Sequence, residues 1–195
     1  MLKYFSLISI LLLSVCAYAQ ADSINILKVG DKAPEFHTNS HKNTTVDLAE
    51  MLKKGKVVIV FYRGAWCPYC NKHMSHLQDS LSLILDKGAS VIAISPEVES
   101  SIDKTISKTK ASFEIVHDSA YAIMKKYGVA FKLSESTVKK YKLFGIDLEE
   151  ANGNKDNILP VPATIIINQD GTISYIHFDE NYKNRLPVKQ IINHL

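Results

Sequence analysis

The chain has 195 residues, of which 23 are lysine or arginine and 20 are aspartate or glutamate, for a formal net charge of +3. The basic residues are spread along the sequence without forming a block, which argues against nucleic acid as a partner. This length is sufficient for one domain with a proper hydrophobic core and is short for two.

The first nineteen residues have the pattern of a signal peptide. Lys3 supplies a small positive region, an apolar stretch follows over Leu7–Val15, and Ala17–Ala19 offers small residues for cleavage before Gln20. The apolar stretch is shorter than the roughly 20 residues that cross a bilayer. We therefore predict a protein that is exported to the periplasm or secreted, with no stable membrane span.

After cleavage, residues 20–195 are predicted to form a single domain. Lipid attachment at Cys16 is an alternative form of export, but Val15 in front of it is larger than the small residue that such processing uses. Cleavage would remove Cys16 and leave the mature chain with only Cys67 and Cys70. Any thiol chemistry of the mature protein therefore depends on this one pair.

The middle of the chain alternates between strand and helix patterns. Lys56–Tyr62 is apolar on both faces and rich in β-branched residues, which predicts a central strand covered on both sides. A helix pattern follows and stops at Gly88. Its apolar residues at helical spacing are Met74, Leu77, Leu81 and Ile84. Further strand patterns at 89–95 and 113–117, with a helix pattern between them, predict a βαβ series with a parallel sheet.

The pattern weakens over Phe131–Leu159, which we interpret as a polar insertion and to which we assign no chemistry. Two strand patterns then flank Asp170-Gly171, a strong signal for a hairpin. Residues 186–195 have the pattern of a closing helix. The sequence contains no internal repeat and no segment of low complexity.

Cys67 and Cys70 form a CxxC motif between the predicted central strand and the following helix. A disulfide between them would close a tiny loop and add little stability, which favours a redox role over a structural one. At a helix N-terminus, unpaired backbone N–H groups and the helix dipole favour the thiolate over the thiol. Both residues are therefore predicted to be catalytic.

A metal site is the alternative interpretation of the two cysteines. Zinc prefers four ligands, and the sequence has no second CxxC motif. His73, Met74 and His76 follow closely, which keeps a non-enzymatic copper or zinc binder open as a third hypothesis. Helical spacing instead places Met74 in the core and leaves His73 and His76 in solvent. We accordingly predict no bound metal and no cofactor.

Five segments of the sequence stand out. They are "VGDKAPEF", "FYRGAWCPYCN", "KKYGV", "VPATIIINQDGTI" and "DENYKNR", which begin at Val29, Phe61, Lys125, Val161 and Asp179. Together they resemble the peroxiredoxin-like branch of the alkyl hydroperoxide reductase and thiol-specific antioxidant (AhpC/TSA) family. This resemblance implies a thioredoxin-like α/β fold, with a central mixed sheet flanked by helices and an insertion before the late hairpin.

The resemblance assigns the peroxidatic role to Cys70. In that family the peroxidatic cysteine follows a threonine or serine by three residues and a proline by seven, and Cys67 and Arg63 hold these places here. Family members also carry an arginine before a late strand, where the matching residue is Pro162. Two parts of the peroxide site are therefore altered.

The altered positions point towards thioredoxin. Its CxxC motif follows a tryptophan and faces a cis-proline, and Trp66 and Val161-Pro162 match those places. A cis bond there would leave the preceding backbone free to pair with a substrate strand. We therefore predict Trp66, Val161 and Pro162 as substrate contacts, together with Arg63, which would favour the thiolate. The buried acid that thioredoxin often has six residues before its first cysteine is replaced by Phe61.

These features together predict an exported thiol-disulfide oxidoreductase that cycles Cys67 and Cys70 between dithiol and disulfide, with Cys67 attacking first. The alternative on the same scaffold is a thiol-dependent hydroperoxide reductase in which Cys70 is peroxidatic and Cys67 resolves. The resemblance implies a protein disulfide or a hydroperoxide as substrate. It also implies a thiol electron donor, such as a thioredoxin-like protein.

Overall fold

A computed structural model describes residues 27–195. The predicted signal peptide and Cys16 lie outside the described residues. Within that range no helix is long and apolar enough to cross a membrane.

The strands are β1 (His37–Asn39), β2 (Thr45–Asp47), β3 (Val57–Phe61), β4 (Ser90–Ser95), β5 (Glu114–His117), β6 (Ala130–Lys132), β7 (Ile158–Pro160), β8 (Ala163–Ile167) and β9 (Ile173–Phe178). The helices are α1 (Leu48–Leu52), α2 (Pro68–Asp79), α3 (Leu81–Asp86), α4 (Glu99–Thr109), α5 (Ala122–Lys126), α6 (Glu135–Leu143), α7 (Leu148–Asn152) and α8 (Val188–Asn193).

The centre of the fold is a mixed five-stranded sheet in the order β5-β4-β3-β8-β9. Strands β3, β4 and β5 are parallel, as the alternating strand and helix patterns predicted. Strand β8 is antiparallel to β3, and β9 is antiparallel to β8 across the hairpin predicted at Asp170-Gly171. A hydrophobic core lies on each face of this sheet. The predicted architecture is therefore confirmed.

The central strand β3 carries the chain into the functional region. All five of its residues are buried, with Val57, Ile59 and Phe61 in one core and Val58 and Val60 in the other. Each fully buried side chain of this kind contributes about 1.5–3 kcal/mol to folding. The second core also contains both cysteines of the CxxC motif and the apolar face of α2. The motif is therefore part of the packed interior.

Helix α2 begins at the motif because Cys67 acts as its N-cap. The Cys67 sulfur accepts the backbone N–H of Cys70 at 3.4 Å, and Pro68 occupies the first turn, where its missing N–H costs nothing. The helix predicted to run until Gly88 is instead two helices, which meet at Ser80, where the backbone is not helical (φ −109°, ψ 9°). Gly88 has φ 72° and ends the second helix region, as predicted.

The Phe131–Leu159 insertion folds as an excursion closed by a strand pair. Strands β6 and β7 are antiparallel, with Phe131 opposite Leu159, and α6 and α7 lie between them. Helix α6 buries none of its residues, but it carries Tyr141 to Trp66, where the ring centroids are 5.4 Å apart. The insertion, to which the sequence assigned no chemistry, therefore reaches the loop before the CxxC motif.

Candidate active site

Cys67 and Cys70 lie together where β3 ends and α2 begins. Both are free thiols, and each is only 1% exposed. Cys67, which the sequence predicted to attack first, is therefore not an exposed thiol. Side chains from the insertion and from the segment after β9 cover the start of the helix. A reactant must either be small enough to pass these side chains or displace them.

Two hydrogen-bond donors converge on the Cys70 sulfur. The backbone N–H of Arg63 lies 3.4 Å from it, and Nη2 of Arg185 lies 3.5 Å from it. Burial raises the pKa of Cys70, but the Cys67 hydrogen bond, the charge of Arg185 and the Arg63 N–H outweigh it and lower the pKa to about 6. Cys70 is therefore mainly a thiolate at neutral pH.

Cys67 holds the proton that the pair shares. Its pKa is raised because its thiol donates to the Cys70 sulfur, because it is buried, and because Cys70 carries negative charge. The N–H of Cys70 and the charge of Arg63 act in the opposite direction and are weaker. The reduced pair is therefore a thiol at Cys67 and a thiolate at Cys70, the reverse of the expected order.

The guanidinium of Arg63 is held in an aromatic cage. Its Cζ lies 4.2 Å from the ring centre of Tyr182, 4.7 Å from that of Trp66 and 5.5 Å from that of Tyr141. Its Nη2 also donates to the Tyr141 hydroxyl. Each such cation–π contact contributes about 0.5–2 kcal/mol, depending on how much water is excluded. Arg63 therefore reaches Cys70 through its backbone, while its side chain binds together the three aromatic rings above the site.

A groove of about 310 Å³ opens beside Cys67. Apolar and aromatic side chains from the start of α2, the insertion and the segment after β9 form most of its wall. The lining includes Trp66, Cys67, Tyr69, Tyr141, Phe144 and Tyr182. Cys70 does not line this groove, so the more acidic of the two thiols is the one farther from the opening.

The model of the AhpC/TSA family matches residues 29–176. The chain belongs to the AhpC/TSA family. Among curated relatives, it is 31% identical over 120 residues to the peroxiredoxin bcp of Buchnera aphidicola, covering 62% of this chain and 73% of that protein. It is 23% identical over 154 residues to the thiol-disulfide oxidoreductase ResA of Halalkalibacterium halodurans, covering 78% and 70%. This AhpC/TSA protein is therefore a thiol-based redox enzyme, as the sequence predicted.

Solved structures confirm the thioredoxin-like fold of this AhpC/TSA protein. The peroxidoxin BcpB of Mycobacterium tuberculosis matches with a TM-score of 0.68 at 19% identity, covering 86% of this chain and 96% of that one. The thioredoxin domain of a thiol-disulfide oxidoreductase from Bacteroides vulgatus matches with a TM-score of 0.56 at 19% identity, covering 86% and 99%. Both matches show that this protein shares the thioredoxin-like fold.

Arg185 is the residue of this AhpC/TSA site that the sequence did not reveal. The place of the family's late arginine was matched to Pro162, and Arg63 was the arginine that the sequence analysis assigned to the cysteines. Arg185 nevertheless ends the segment Asp179–Arg185, which contributed to the family resemblance, so a signal was present. Tyr182 comes from the same segment, whereas Tyr141 lies in the insertion, where no motif marks it.

The expectation of a cis-proline is wrong for this AhpC/TSA protein, because the described part of the chain contains no cis peptide bond. Pro162 precedes Ala163, which pairs with Phe61 at the end of β3. The N–H of Val161 donates to the Val129 carbonyl at 2.7 Å and is therefore not available to a substrate strand. The predicted substrate contacts at Val161 and Pro162 lose their physical basis.

His73 is buried and not in solvent, because it lies on the face of α2 that packs against the sheet. Burial and the charge of Arg185 lower its pKa to about 4. Met74 is fully buried and His76 is exposed, as predicted. Within residues 27–195 no group of three or more potential ligands is placed to hold a metal ion.

Gly64 lies in the loop before the CxxC motif, where the side chains of Glu97 and Trp66 pack closely against its backbone. It has φ +149°, and a Cβ there would lie 2.5 Å from Oε1 of Glu97 and 2.6 Å from Nε1 of Trp66. Gly64→Ala is therefore expected to lower the free energy of unfolding by about 2–4 kcal/mol, through backbone strain and overpacking together. Gly30→Ala is the matched control, because Gly30 has φ +96° but nothing within 4 Å of the added carbon. Denaturant unfolding measures both variants, and equal losses would contradict the clash.

Proposed function

We propose that this protein is a hydroperoxide reductase in which Cys70 is the peroxidatic cysteine and Cys67 is the resolving cysteine. The observation that carries the proposal is the convergence of the Arg63 N–H and the Arg185 guanidinium on the Cys70 sulfur, in a site where each cysteine is 1% exposed. Such a site stabilises a thiolate and admits a small reactant more easily than a folded protein. The similarity to a bcp peroxiredoxin supports the same assignment.

The proposed reaction has three steps. The Cys70 thiolate attacks the terminal oxygen of a hydroperoxide, the O–O bond breaks, and the alkoxide leaves as an alcohol after taking a proton, so that Cys70 becomes a sulfenic acid. The Cys67 thiol then attacks the Cys70 sulfur, which forms the disulfide and releases water. A dithiol donor, which we propose is a thioredoxin-like protein, supplies two electrons and restores the reduced pair. Arg185 holds the thiolate in place before the attack.

Thiol-disulfide exchange is the second candidate, because the groove opens beside Cys67 and not beside Cys70. A partner disulfide that displaced Tyr141 and Tyr182 would meet Cys67 first, and Cys70 would then resolve the mixed disulfide. Trp66 and Arg63 line this groove, so we propose them as substrate contacts for either reaction. The similarity to a ResA oxidoreductase supports this second candidate.

Single-turnover kinetics of the reduced protein distinguish the two reactions. Trp66 is the only tryptophan of the chain and packs beside the motif, so its fluorescence reports oxidation of the cysteine pair. We expect hydrogen peroxide to oxidise the pair faster than the disulfides of native insulin do. Both cysteines are covered by other side chains, which a small molecule passes more easily than a folded protein does. The reverse order of the two rates would contradict the peroxidase proposal and favour disulfide exchange.

We also propose that the protein is exported to the periplasm or secreted. The support is the signal-peptide pattern of the first nineteen residues, which lie outside the described part of the chain. Protein purified from its native host is expected to begin at Gln20, and mass spectrometry of the intact chain measures this. A retained Met1 would contradict export, and a lipid-sized mass on a chain that begins at Cys16 would favour anchoring instead.

A further inference from the structure

Glu97 is a buried carboxyl group below the CxxC loop for which the reaction above has no role. It follows β4 and is 0% exposed. Its Oε1 accepts the N–H of Ala65 at 2.7 Å, and its Oε2 accepts the hydroxyl of Thr105 at 3.2 Å. No salt bridge among residues 27–195 involves it. A carboxyl group that is buried without a cationic partner favours its neutral form.

The ionisable groups around Glu97 come from four parts of the chain. They are Tyr62 after β3, Cys70 on α2, Lys104 and Lys108 on α4, and Asp147 and Glu150 at the start of α7. Lys108 donates to the Ala65 carbonyl at 2.9 Å. Burial raises the pKa of Glu97 to about 7 against the effect of its two hydrogen bonds, and the negative charge of Cys70 raises it further. Glu97 therefore titrates near neutral pH and senses the charge of Cys70.

The geometry allows Glu97 to gain or lose a proton without moving. Oε1 accepts the Ala65 N–H in both states. The Thr105 hydroxyl donates to Oε2 when the carboxylate is ionised, and it can rotate to accept a proton from Oε2 when the group is neutral. Glu97 also lines a cavity of about 140 Å³ that opens to solvent, which gives its proton a path. The loop that precedes Cys67 therefore keeps its position in both protonation states.

We propose that Glu97 is the proton store of the cysteine pair, protonated while Cys70 is a thiolate and ionised once Cys67 and Cys70 form a disulfide. The reason is electrostatic coupling, because oxidation removes the negative charge of Cys70 and so makes ionisation of Glu97 easier. This proposal rests on the redox cycle proposed above. Within that cycle, Glu97 supplies through solvent the proton that converts the alkoxide into the alcohol. Reduction by a dithiol donor then returns one proton to Cys67 and one to Glu97, so the charge of the site is balanced in both directions.

Infrared difference spectroscopy of protein with labelled glutamate tests this directly. Diamide serves as the oxidant, because it converts the pair into a disulfide whichever cysteine reacts first. The carbonyl band of neutral glutamic acid is expected in the dithiol state at neutral pH and is expected to be lost in the disulfide state. Glu97→Gln, which keeps an acceptor for the Ala65 N–H, should lack this change. Glu150→Gln is the matched control, since Glu150 lines the same cavity but is 75% exposed in its side chain.

A second measurement separates a proton store from a merely structural residue. Diamide takes up two protons when it is reduced, and in the wild type the Cys67 thiol and Glu97 supply them. Glu97→Gln should therefore draw more protons from a weakly buffered solution, while Glu150→Gln should match the wild type. An unchanged carboxyl band on oxidation, or equal proton uptake by all three proteins, would overturn the proposal and leave the redox cycle intact. Failure of diamide to link Cys67 to Cys70 would overturn both.

Discussion

Replacing Cys70 with serine is expected to slow peroxide reduction by about a thousandfold or more, because a serine hydroxyl is not ionised at neutral pH and cannot replace the thiolate nucleophile. Cys67→Ser is the matched variant. In that variant Cys70 keeps the Arg63 N–H and the Arg185 guanidinium but loses its resolving partner. The serine hydroxyl can donate in place of the Cys67 thiol, so the reaction should still start and then stop at a sulfenic acid on Cys70. Dimedone trapping followed by mass spectrometry identifies the modified residue.

The sequence predicted the opposite order of attack, and the same two variants test it. If Cys70→Ser traps a mixed disulfide with a substrate protein through Cys67, then Cys67 is the attacking cysteine. Under that outcome, Cys67→Ser would give no sulfenic acid with peroxide. The structure argues against it because the guanidinium lies beside Cys70, while the Cys67 thiol acts as a donor.

Arg185→Ala is expected to move the pH dependence of peroxide reduction upward. Burial raises the pKa of Cys70, and it is the Cys67 hydrogen bond together with Arg185 that brings it down to about 6. Removing an opposite charge that lies this close to a thiol changes its ionisation constant by about tenfold or more. We expect a change of about tenfold for Cys70, because Arg185 is partly exposed to solvent. At a pH near 6 the thiolate fraction would then fall from about a half to about a tenth, and the rate would fall with it.

The pH profile of the rate, together with the ultraviolet absorbance of the thiolate, measures this change. Lys183→Ala is the control, since Lys183 is an exposed residue of the same segment. Arg185→Lys keeps the charge without the planar guanidinium and should recover part of the effect. An unchanged midpoint in Arg185→Ala would contradict the assigned role.

The same substitution has a signed effect on stability. Folding lowers the pKa of Cys70 from 9.0 to about 6. Ionisation of Cys70 therefore stabilises the folded state, and this contribution is complete at pH values above 9.0, the pKa in the unfolded chain. That contribution is lost as the pH falls through about 6. The loss of unfolding free energy in Arg185→Ala should therefore be larger in alkaline than in acidic buffer.

Features that depend on neighbouring residues were accessible from the sequence. The apolar run of β3, the CxxC motif at a helix start and the hairpin at Asp170-Gly171 all follow from local spacing, and the structure has each of them. The burial of His73 was also within reach. It lies three residues after Cys70 and four before Leu77, so a helix places it on the buried stripe.

The protonation pattern of the site was not accessible, because it depends on residues that are distant in the chain. Arg185 lies 115 residues after Cys70, and Tyr141 lies 78 residues after Arg63. Nothing in the local sequence pattern indicates which arginine side chain contacts which cysteine sulfur in the folded protein. The prediction that Cys67 attacks first came from the thioredoxin-like positions Trp66 and Val161-Pro162, and it left out the Arg185 charge that lies beside Cys70.

The strand pair that closes the insertion has a consequence for protein engineering. Because Phe131 pairs with Leu159, β6 and β7 hold the two ends of the excursion next to each other. The nucleophile and its arginine depend on the sheet, α2 and the segment after β9, whereas much of the groove wall belongs to the excursion. Replacing this excursion with another segment of similar length is therefore expected to change substrate selectivity while the pKa of Cys70 stays about the same.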